Sequence, residues 1–275
     1  MADAPELHLP DTAYTGAPKE TAIPMLVEQE GPRLLTLARR FCGDPDQADD
    51  LVQEVFLAAY RSWDQFRGES QVGTWLYRIA ARTCMRMQRK RSGEPDRVES
   101  LEELMPGGEP RLAWVPGPDD EPLSEEVREE GRQAVLRAMV GLPENFRMPM
   151  VLKEIVGFSV AQVAAILDIP EATVKTRLHR GRMRMRKALD QAMPTHEVPP
   201  TELDKAICMD LLEAKQSCMD RGEPFQFPAG LFCERCGEVF RTLDFTQELC
   251  RMDESEPWPK GLEGRILTAL RAESA

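Results

Sequence analysis

A stretch rich in proline, glycine and acidic residues, over residues 92–130, divides the helical patterning of this chain. It carries thirteen acidic side chains against three basic ones, a net charge of −10. A segment of this composition predicts a linker between separately folded parts and not a piece of a packed core. Because 275 residues suffice for two or three small domains, we expect separate helical domains that follow one another along the chain.

Apolar residues recur at helical spacing on both sides of this stretch, and no strand pattern of useful length and no internal repeat is evident. The sequence therefore predicts an all-α protein. Its expected parts are a disordered tail over 1–20, a helical domain over 21–92, an acidic linker over 93–123, a second helical domain over 124–193 and a cysteine-containing helical domain over 201–275. No apolar run approaches the roughly 18 residues that span a bilayer, and the first residues match no targeting signal. We therefore expect a cytoplasmic protein without membrane insertion.

The formal net charge of −12 argues at first against a nucleic-acid partner, because phosphates repel an acidic protein. The average hides two cationic patches. Residues 70–92 hold six basic and no acidic side chains, and residues 171–187 hold seven basic side chains against one acidic side chain. Each patch is a candidate for contact with a nucleic acid.

The helix predicted to begin after Asp44 is amphipathic. Leu51 and Val55 stand at helical spacing on its apolar side, and Asp44 followed by Pro45 supplies an N-cap and a first-turn proline. The opposite face keeps Asp50, Gln53 and Glu54 in water. On pattern alone, an ordinary amphipathic helix is the simpler interpretation.

A loop with aromatic residues follows, and the next predicted helix has a purely cationic outer face. Aromatic rings beside arginines suit unstacked single-stranded bases, since the rings stack on bases and the guanidinium groups follow the phosphates. Trp75, Arg78 and Arg82 are the candidates for this role. By composition alone, a core position remains the stronger interpretation of Trp75 and Tyr77.

The second domain has the pattern of a helix-turn-helix. Ser159 caps one predicted helix, a break over residues 168–170 ends it, and Pro170 fits the first turn of the next helix. Val174 and Leu178 face inward. The side chains left to project outward and reach base edges are Lys175, Thr176, Arg177, His179 and Arg180. We expect the later Arg182, Arg184 and Arg186 to neutralise phosphate.

Two runs in the first domain carry a resemblance to a known family. They are Asp-Asp-Leu-Val-Gln-Glu-Val-Phe at 49–56 and Gly-Thr-Trp-Leu-Tyr-Arg-Ile-Ala at 73–80, with Phe-Arg-Gly at 66–68 between them. In this order and spacing they resemble the promoter-melting domain, region 2, of the extracytoplasmic-function (ECF) group of bacterial sigma factors. The resemblance implies that the acidic helix docks on core RNA polymerase through Asp49, Asp50, Gln53 and Glu54. It also implies that residues 64–82 capture the minus-ten element as melted DNA.

The run Thr-Val-Lys-Thr-Arg-Leu-His-Arg-Gly-Arg at 173–182 is similar to the minus-thirty-five recognition domain, region 4, of the same group. The resemblance implies a non-enzymatic transcription factor whose partners are core polymerase, double-stranded and melted promoter DNA, and a separate anti-sigma factor. The alternative from another class is a helix-turn-helix repressor that acts without polymerase. The sequence has neither a constellation of catalytic nucleophile and base nor a phosphate-binding glycine loop, so it does not support an enzyme.

The last domain carries a pair of cysteines that could bind metal. Cys233 and Cys236 are two residues apart, which lets both sulfurs meet one tetrahedral zinc at about 2.3 Å. On a helix, Cys208 and Cys218 would lie about 15 Å apart, so only one of them can join the pair. We select Cys208, with the fourth ligand open and with zinc or another thiophilic metal as the cofactor. Buried structural thiols and a redox pair are the alternatives.

This last domain is similar to zinc-binding anti-sigma domains, and loosely to the metal-sensing cysteine-rich tails of some sigma factors. Zinc-binding anti-sigma domains place a histidine four residues before the cysteine pair, where this chain has Ala229. The domain has fifteen acidic and nine basic residues, a net charge of −6, and a proline-rich hinge ties it to two cationic domains. We therefore predict a tethered regulator of the DNA-binding domains.

Overall fold

The structure, a computed structural model, describes residues 14, 16–68, 70–89, 100–104, 110–117, 120–226, 232–251, 258–259 and 261–273. The chain divides into two compact units. Unit 1 joins Met1–Glu94 to Asp253–Ala275, and unit 2 is Pro95–Met252. Most of the predicted tail, residues 1–13 and 15, lies outside the described residues. Tyr14 is buried, however, and its hydroxyl donates to Gln29.

Besides the short 3-10 helix Trp63–Gln65, the described part of unit 1 contains four α-helices. They are α1 (Lys19–Cys42), α2 (Pro45–Arg61), α3 (Val72–Arg89) and, from the far end of the chain, α11 (Leu262–Glu273). The core is formed by apolar residues of the first three, among them Leu34, Phe56 and Leu76, each without exposed surface. Packed against α1 and α2, α11 buries Leu262, Ile266 and Leu270.

The predicted beginning of α2 is confirmed. The side chain of Asp44 accepts hydrogen bonds from the amides of Asp46 and Gln47, and Pro45 is the first helical residue. The cap satisfies amides that have no partner inside the helix, and it therefore fixes where α2 starts and which residues face the solvent.

Where the structure describes it, unit 2 contains seven α-helices and two short strands. They are α4 (Leu101–Leu104), β1 (Arg111–Ala113), α5 (Glu125–Val140), α6 (Glu144–Met150), α7 (Val160–Leu167), α8 (Glu171–Ala192), β2 (Thr195–Glu197), α9 (Lys205–Arg221) and α10 (Glu234–Arg251). A π-helical turn, Val151–Ile155, follows α6. The all-helical prediction is confirmed apart from β1 and β2, which pair antiparallel with Leu112 opposite His196.

The helix-turn-helix is formed as predicted. Ser159 caps α7 in a reciprocal capping box with Gln162, and Asp168 ends that helix in a left-handed conformation at φ 54°. Pro170 then precedes the first residue of α8, as the sequence suggested. Val174 and Leu178 have no exposed surface, so the opposite side of α8 faces outward.

Two predicted domain boundaries differ from the structure. The expected linker contributes α4 and β1 to unit 2, where Leu104 and Leu112 are buried. The expected domain over 201–275 is divided, since α9 and α10 belong to unit 2 and α11 to unit 1. The cause is shared burial, because one apolar cluster joins Met183 of α8 to Leu212 and Phe240 of the last domain. The last domain is therefore not a separately folded domain.

Candidate functional site

The acidic face of α2 borders a groove in unit 1. Asp50 is exposed, whereas Asp49, Gln53 and Glu54 are half-buried. The groove has a volume of about 600 Å³ and is lined by Asp50, Gln53, Glu54, Arg61, Arg86 and Met87. The α2 helix holds this face outward because its other side buries Leu51, Val52 and Val55. The groove places the carboxylates of Asp50 and Glu54 beside the guanidinium groups of Arg61 and Arg86, and such a concave charged surface suits a protein partner with complementary charges.

Three aromatic rings gather where α2 passes into α3. The ring centroids of Trp63 and Phe66 lie 5.3 Å apart, and Trp75 lies 5.8 Å from Trp63 and 5.3 Å from Phe66. Trp63 is fixed by the hydrogen bond that its Nε1 donates to the carbonyl of Ala17. Phe66 and Trp75 are half-buried, so part of each ring is free to stack on a base.

The α3 residues predicted beside these rings differ in exposure. Tyr77 is only 5% exposed, which agrees with the core interpretation given for it. Trp75 and Arg78 are half-buried, and Arg82 is exposed one helical turn after Arg78. The structure therefore places a partly open ring and two guanidinium groups on α3, as single-stranded DNA would require.

The front of α8 carries five predicted base-contacting residues. Lys175 and Thr176 are exposed, and Thr176 Oγ1 donates to the carbonyl of Ala172 at 3.0 Å. Arg177 and Arg180 are half-buried, and burial lowers the pKa of the Arg177 guanidinium from its ordinary value. The fifth residue, His179, contacts another helix of the protein. Its Nε2 lies 3.2 Å from Oδ2 of Asp220 on α9.

Beneath this surface lies a buried ion network that the sequence did not indicate. Arg182 is 2% exposed; its Nε donates to Glu154 at 2.8 Å and its Nη1 to Asp220 at 2.7 Å. Glu154 also accepts from Gln247 of α10 at 2.7 Å, and Gln216 donates to the carbonyl of His179. The network thus joins α8 to the π-helical turn, α9 and α10.

Electrostatics hold this network in its charged form. Burial alone would raise the pKa of Asp220, but the hydrogen bond with His179 and the charge of Arg182 outweigh burial and lower it. Burial likewise disfavours the Arg182 cation, and Glu154 and Asp220 outweigh that effect and raise its pKa. The prediction that Arg182 and Arg186 neutralise phosphate is wrong in this structure, because both are buried and Arg186 contacts Asp190 at 3.1 Å.

Three of the predicted thiols meet between α9 and α10. Cys236 Sγ donates to Cys208 Sγ at 3.8 Å, and the hydroxyl of Thr201 lies 3.2 Å from Cys208 Sγ and 3.9 Å from Cys233 Sγ. Burial and the neighbouring sulfurs raise the pKa of Cys236. Burial also disfavours the Cys233 thiolate, but backbone amide donors from Cys236 and Glu202 outweigh it and lower that pKa.

The thiol cluster of Cys208, Cys233 and Cys236 meets part of what a metal requires. Two sulfurs on a tetrahedral zinc would be about 3.8 Å apart, which is the distance found between Cys208 and Cys236. Within the ranges that the structure describes, no group of three His, Cys, Asp or Glu side chains has metal-binding geometry. Ala229, at the position where zinc-binding anti-sigma domains have histidine, lies outside the described residues.

No pattern in the sequence indicated the residues that pair with these sites. Asp220, Gln216 and Gln247 are separated from their α8 or π-turn partners by 37 to 93 residues, so no local spacing signals the contact. Arg265 of α11, which contacts Asp49 of α2, is 216 residues away from it. Such pairings depend on how helices pack and leave no pattern along the chain.

Family comparisons match both helical domains. The family Sigma-70 region 2 matches residues 26–94, and the family Sigma-70, region 4 matches residues 132–185. The ECF RNA polymerase sigma-E factor of Escherichia coli (strain K12) is 38% identical over 168 residues, covering 59% of this chain and 84% of that relative. The ECF RNA polymerase sigma factor SigW of Bacillus subtilis (strain 168) is 35% identical over 161 residues, covering 57% and 83%.

Solved structures also match. The sigma factor RpoE from Bartonella quintana, solved in complex with the anti-sigma factor NepR, has a TM-score of 0.42 and 24% identity, covering 60% of this chain and 94% of that one. No helix in the described part of the chain is long and apolar enough to cross a membrane. The two family matches, together with the identity to ECF sigma factors over more than four fifths of their length, establish the family of this chain. The chain belongs to the ECF family of RNA polymerase sigma factors, which are transcription initiation factors and not enzymes.

Proposed function

We propose that this sigma factor uses three surfaces to start transcription at its promoters. The acidic face of α2, with Asp49, Asp50, Gln53 and Glu54, docks on core polymerase. Trp75, Arg78 and Arg82 of α3 hold the melted minus-ten strand. The front of α8, with Lys175, Thr176, Arg177, His179 and Arg180, reads the minus-thirty-five element. The observation that carries the proposal is the groove beside the solvent face of α2, lined by Asp50, Gln53 and Glu54, which a repressor acting alone would not need.

The proposal is tested by run-off transcription with purified core polymerase. With this protein added, transcripts should start from a defined promoter and depend on both upstream elements. Co-purification of the chain with core polymerase should accompany that activity. DNA binding without any polymerase association would instead support the repressor.

The basic side chains at the front of α8 lead to a prediction about promoter recognition. Replacing Arg177 or Arg180 by Ala should cost about 1 to 3 kcal/mol of binding and relax discrimination at particular upstream bases, because an arginine can read a base edge by two hydrogen bonds. The control is Arg137→Ala, which removes the same charge from an exposed site on α5. Footprinting that shows an unchanged base preference for the Arg177 and Arg180 variants would contradict this assignment.

The last domain is proposed as a regulator of region 4. Asp220 engages His179 on the DNA-reading helix, and the apolar cluster around Leu212 and Phe240 includes Met183 of the same helix. A change in the packing of α9 and α10 would therefore reach α8 directly. Attachment to the same chain keeps these helices at high effective concentration, so weak docking is sufficient. A separate anti-sigma factor stays a prediction.

Metal would be the signal in this proposal, with Cys208, Cys233 and Cys236 as ligands of zinc or another thiophilic ion. A bound ion would couple its binding energy to the packing of α9 on α10. The spacing of the Cys208 and Cys236 sulfurs supports it, and the Cys233 side chain is hydrogen-bonded to that of Cys236.

Replacing Cys233 and Cys236 by Ser should remove bound metal and change promoter-specific transcription across metal concentrations. Cys218→Ser is the control, because Cys218 is half-buried and no hydrogen bond joins its sulfur to the cluster in the described residues. Metal per chain is measured by elemental analysis of the purified protein. If the double Ser variant keeps its metal, or if neither chain contains any, the cluster is a set of buried structural thiols.

A further inference from the structure

The final helix, α11, lies against the helix that carries the proposed polymerase-docking residues. Leu262, Ile266 and Leu270 form a stripe at four-residue spacing, and all three are buried in unit 1. Just before the helix, Trp258 lies so close to α1 that a methyl group on Gly31 would be 2.6 Å from its ring. The end of the chain is therefore closely packed on region 2.

Charged pairs set the register of α11 along α2. Arg265 Nη2 donates to Asp49 Oδ2 at 2.9 Å, and Arg61 donates to Glu273 near the other end of both helices. The same ion pair lowers the pKa of Glu273. Because the two pairs run in the same order along both helices, α11 lies parallel to α2. These exposed ion pairs determine where α11 lies along α2, whereas burial of the apolar stripe supplies most of the free energy that holds α11 in place.

The position of α11 overlaps the docking face. Asp49, Gln53, Leu57 and Arg61 stand at four-residue spacing and therefore share one side of α2. Asp49 and Arg61, which hold α11, begin and end this row, and Leu57 within it is only 7% exposed. Arg61 also lines the groove with Asp50, Gln53 and Glu54. A partner that reaches Asp49 or Arg61 meets α11 first.

The geometry points to α11 as an intramolecular competitor of core polymerase, which must leave α2 before the docking face is complete. This inference rests on the proposed docking role of α2. A binding partner can displace α11 from α2, because α11 has only 12 residues and one apolar stripe. Ten residues, 252–261, join it to α10, so after release it remains available to return.

The test compares two charge reversals on α11 in the full-length chain. Arg265→Glu places a carboxylate against Asp49 and should raise affinity for core polymerase about threefold, because an exposed ion pair becomes a repulsion. Arg271→Glu makes the same change at an exposed site on the same helix and should leave affinity unchanged. Neither residue lies on the proposed docking or DNA-binding surfaces. Affinity is measured by titrating labelled protein with core polymerase.

A second variant and a second readout address the apolar contact. Ile266→Asp should detach α11 and raise affinity about tenfold, a typical coupling between competing sites. In the parent chain, hydrogen exchange of the α11 amides should speed up when core polymerase binds. Equal affinities for all variants, or α11 amides that stay protected in the complex, would overturn the inference while leaving the docking role of α2 intact. If no variant binds core polymerase, the proposed function itself fails, and the inference fails with it.

Discussion

Reversing Asp50 and Glu54 to Lys is expected to abolish the association of this sigma factor with core polymerase. Both side chains line the groove on α2, and neither belongs to the apolar core. Two like-charge contacts in place of two attractive ones cost several kcal/mol, which corresponds to about a thousandfold loss of affinity. The variant should keep its helix content, because surface substitutions change stability by only about 0.5 kcal/mol.

The control for this variant is Glu28→Lys, which reverses the charge of an exposed residue on α1. A pull-down and an affinity titration with core polymerase measure the effect, and circular dichroism verifies the fold. If the double variant bound polymerase as tightly as the parent chain, the docking surface would lie elsewhere on the molecule.

Replacing Arg182 by Met is expected to destabilise unit 2 by about 3 to 5 kcal/mol. The side chain is buried with Glu154 and Asp220, and removing the cation leaves two buried carboxylates without their partner. Lys175→Met, an exposed change on the same helix, should cost far less. Urea unfolding followed by helix content measures both values.

A compensated variant separates the lost charge from the lost packing. Glu154→Gln and Asp220→Asn, combined with Arg182→Met, remove all three charges and should recover much of the lost stability. If Arg182→Met alone cost less than about 1 kcal/mol, the network would contribute little, and the link between α8 and the last domain would depend on apolar contacts around Met183.

The sequence predicted those features that local chemistry determines. Asp44 and Pro45 start α2, Ser159 starts α7, and Pro170 precedes α8, because capping and proline geometry act over a few residues. The outward position of Lys175 and Thr176 followed from the helical period alone. The residue roles at the docking and DNA-reading surfaces stay predictions.

Long-range packing explains what the sequence did not predict. Strand β1 has three residues, too few for an alternating pattern, and it forms because Ala113 donates to Asp190 and pairs with Thr195. Arg182 was expected on the surface because its own helix is basic, but Glu154 and Asp220 approach from other elements and bury it. Periodicity describes one helix at a time and does not show what covers it.

The place of α11 in unit 1 has a consequence for how the protein is made. The ribosome completes α3 long before it reaches Leu262, with more than 170 residues of chain between them. At the usual 5 to 20 residues per second, region 2 spends roughly 10 to 30 s as a nascent domain without its last helix. During that interval Ile266 has not yet covered its site, and the docking row from Asp49 to Arg61 lacks the helix that later lies beside it. If α11 competes with polymerase as proposed, a newly synthesised chain would meet polymerase in a more receptive form than a finished one.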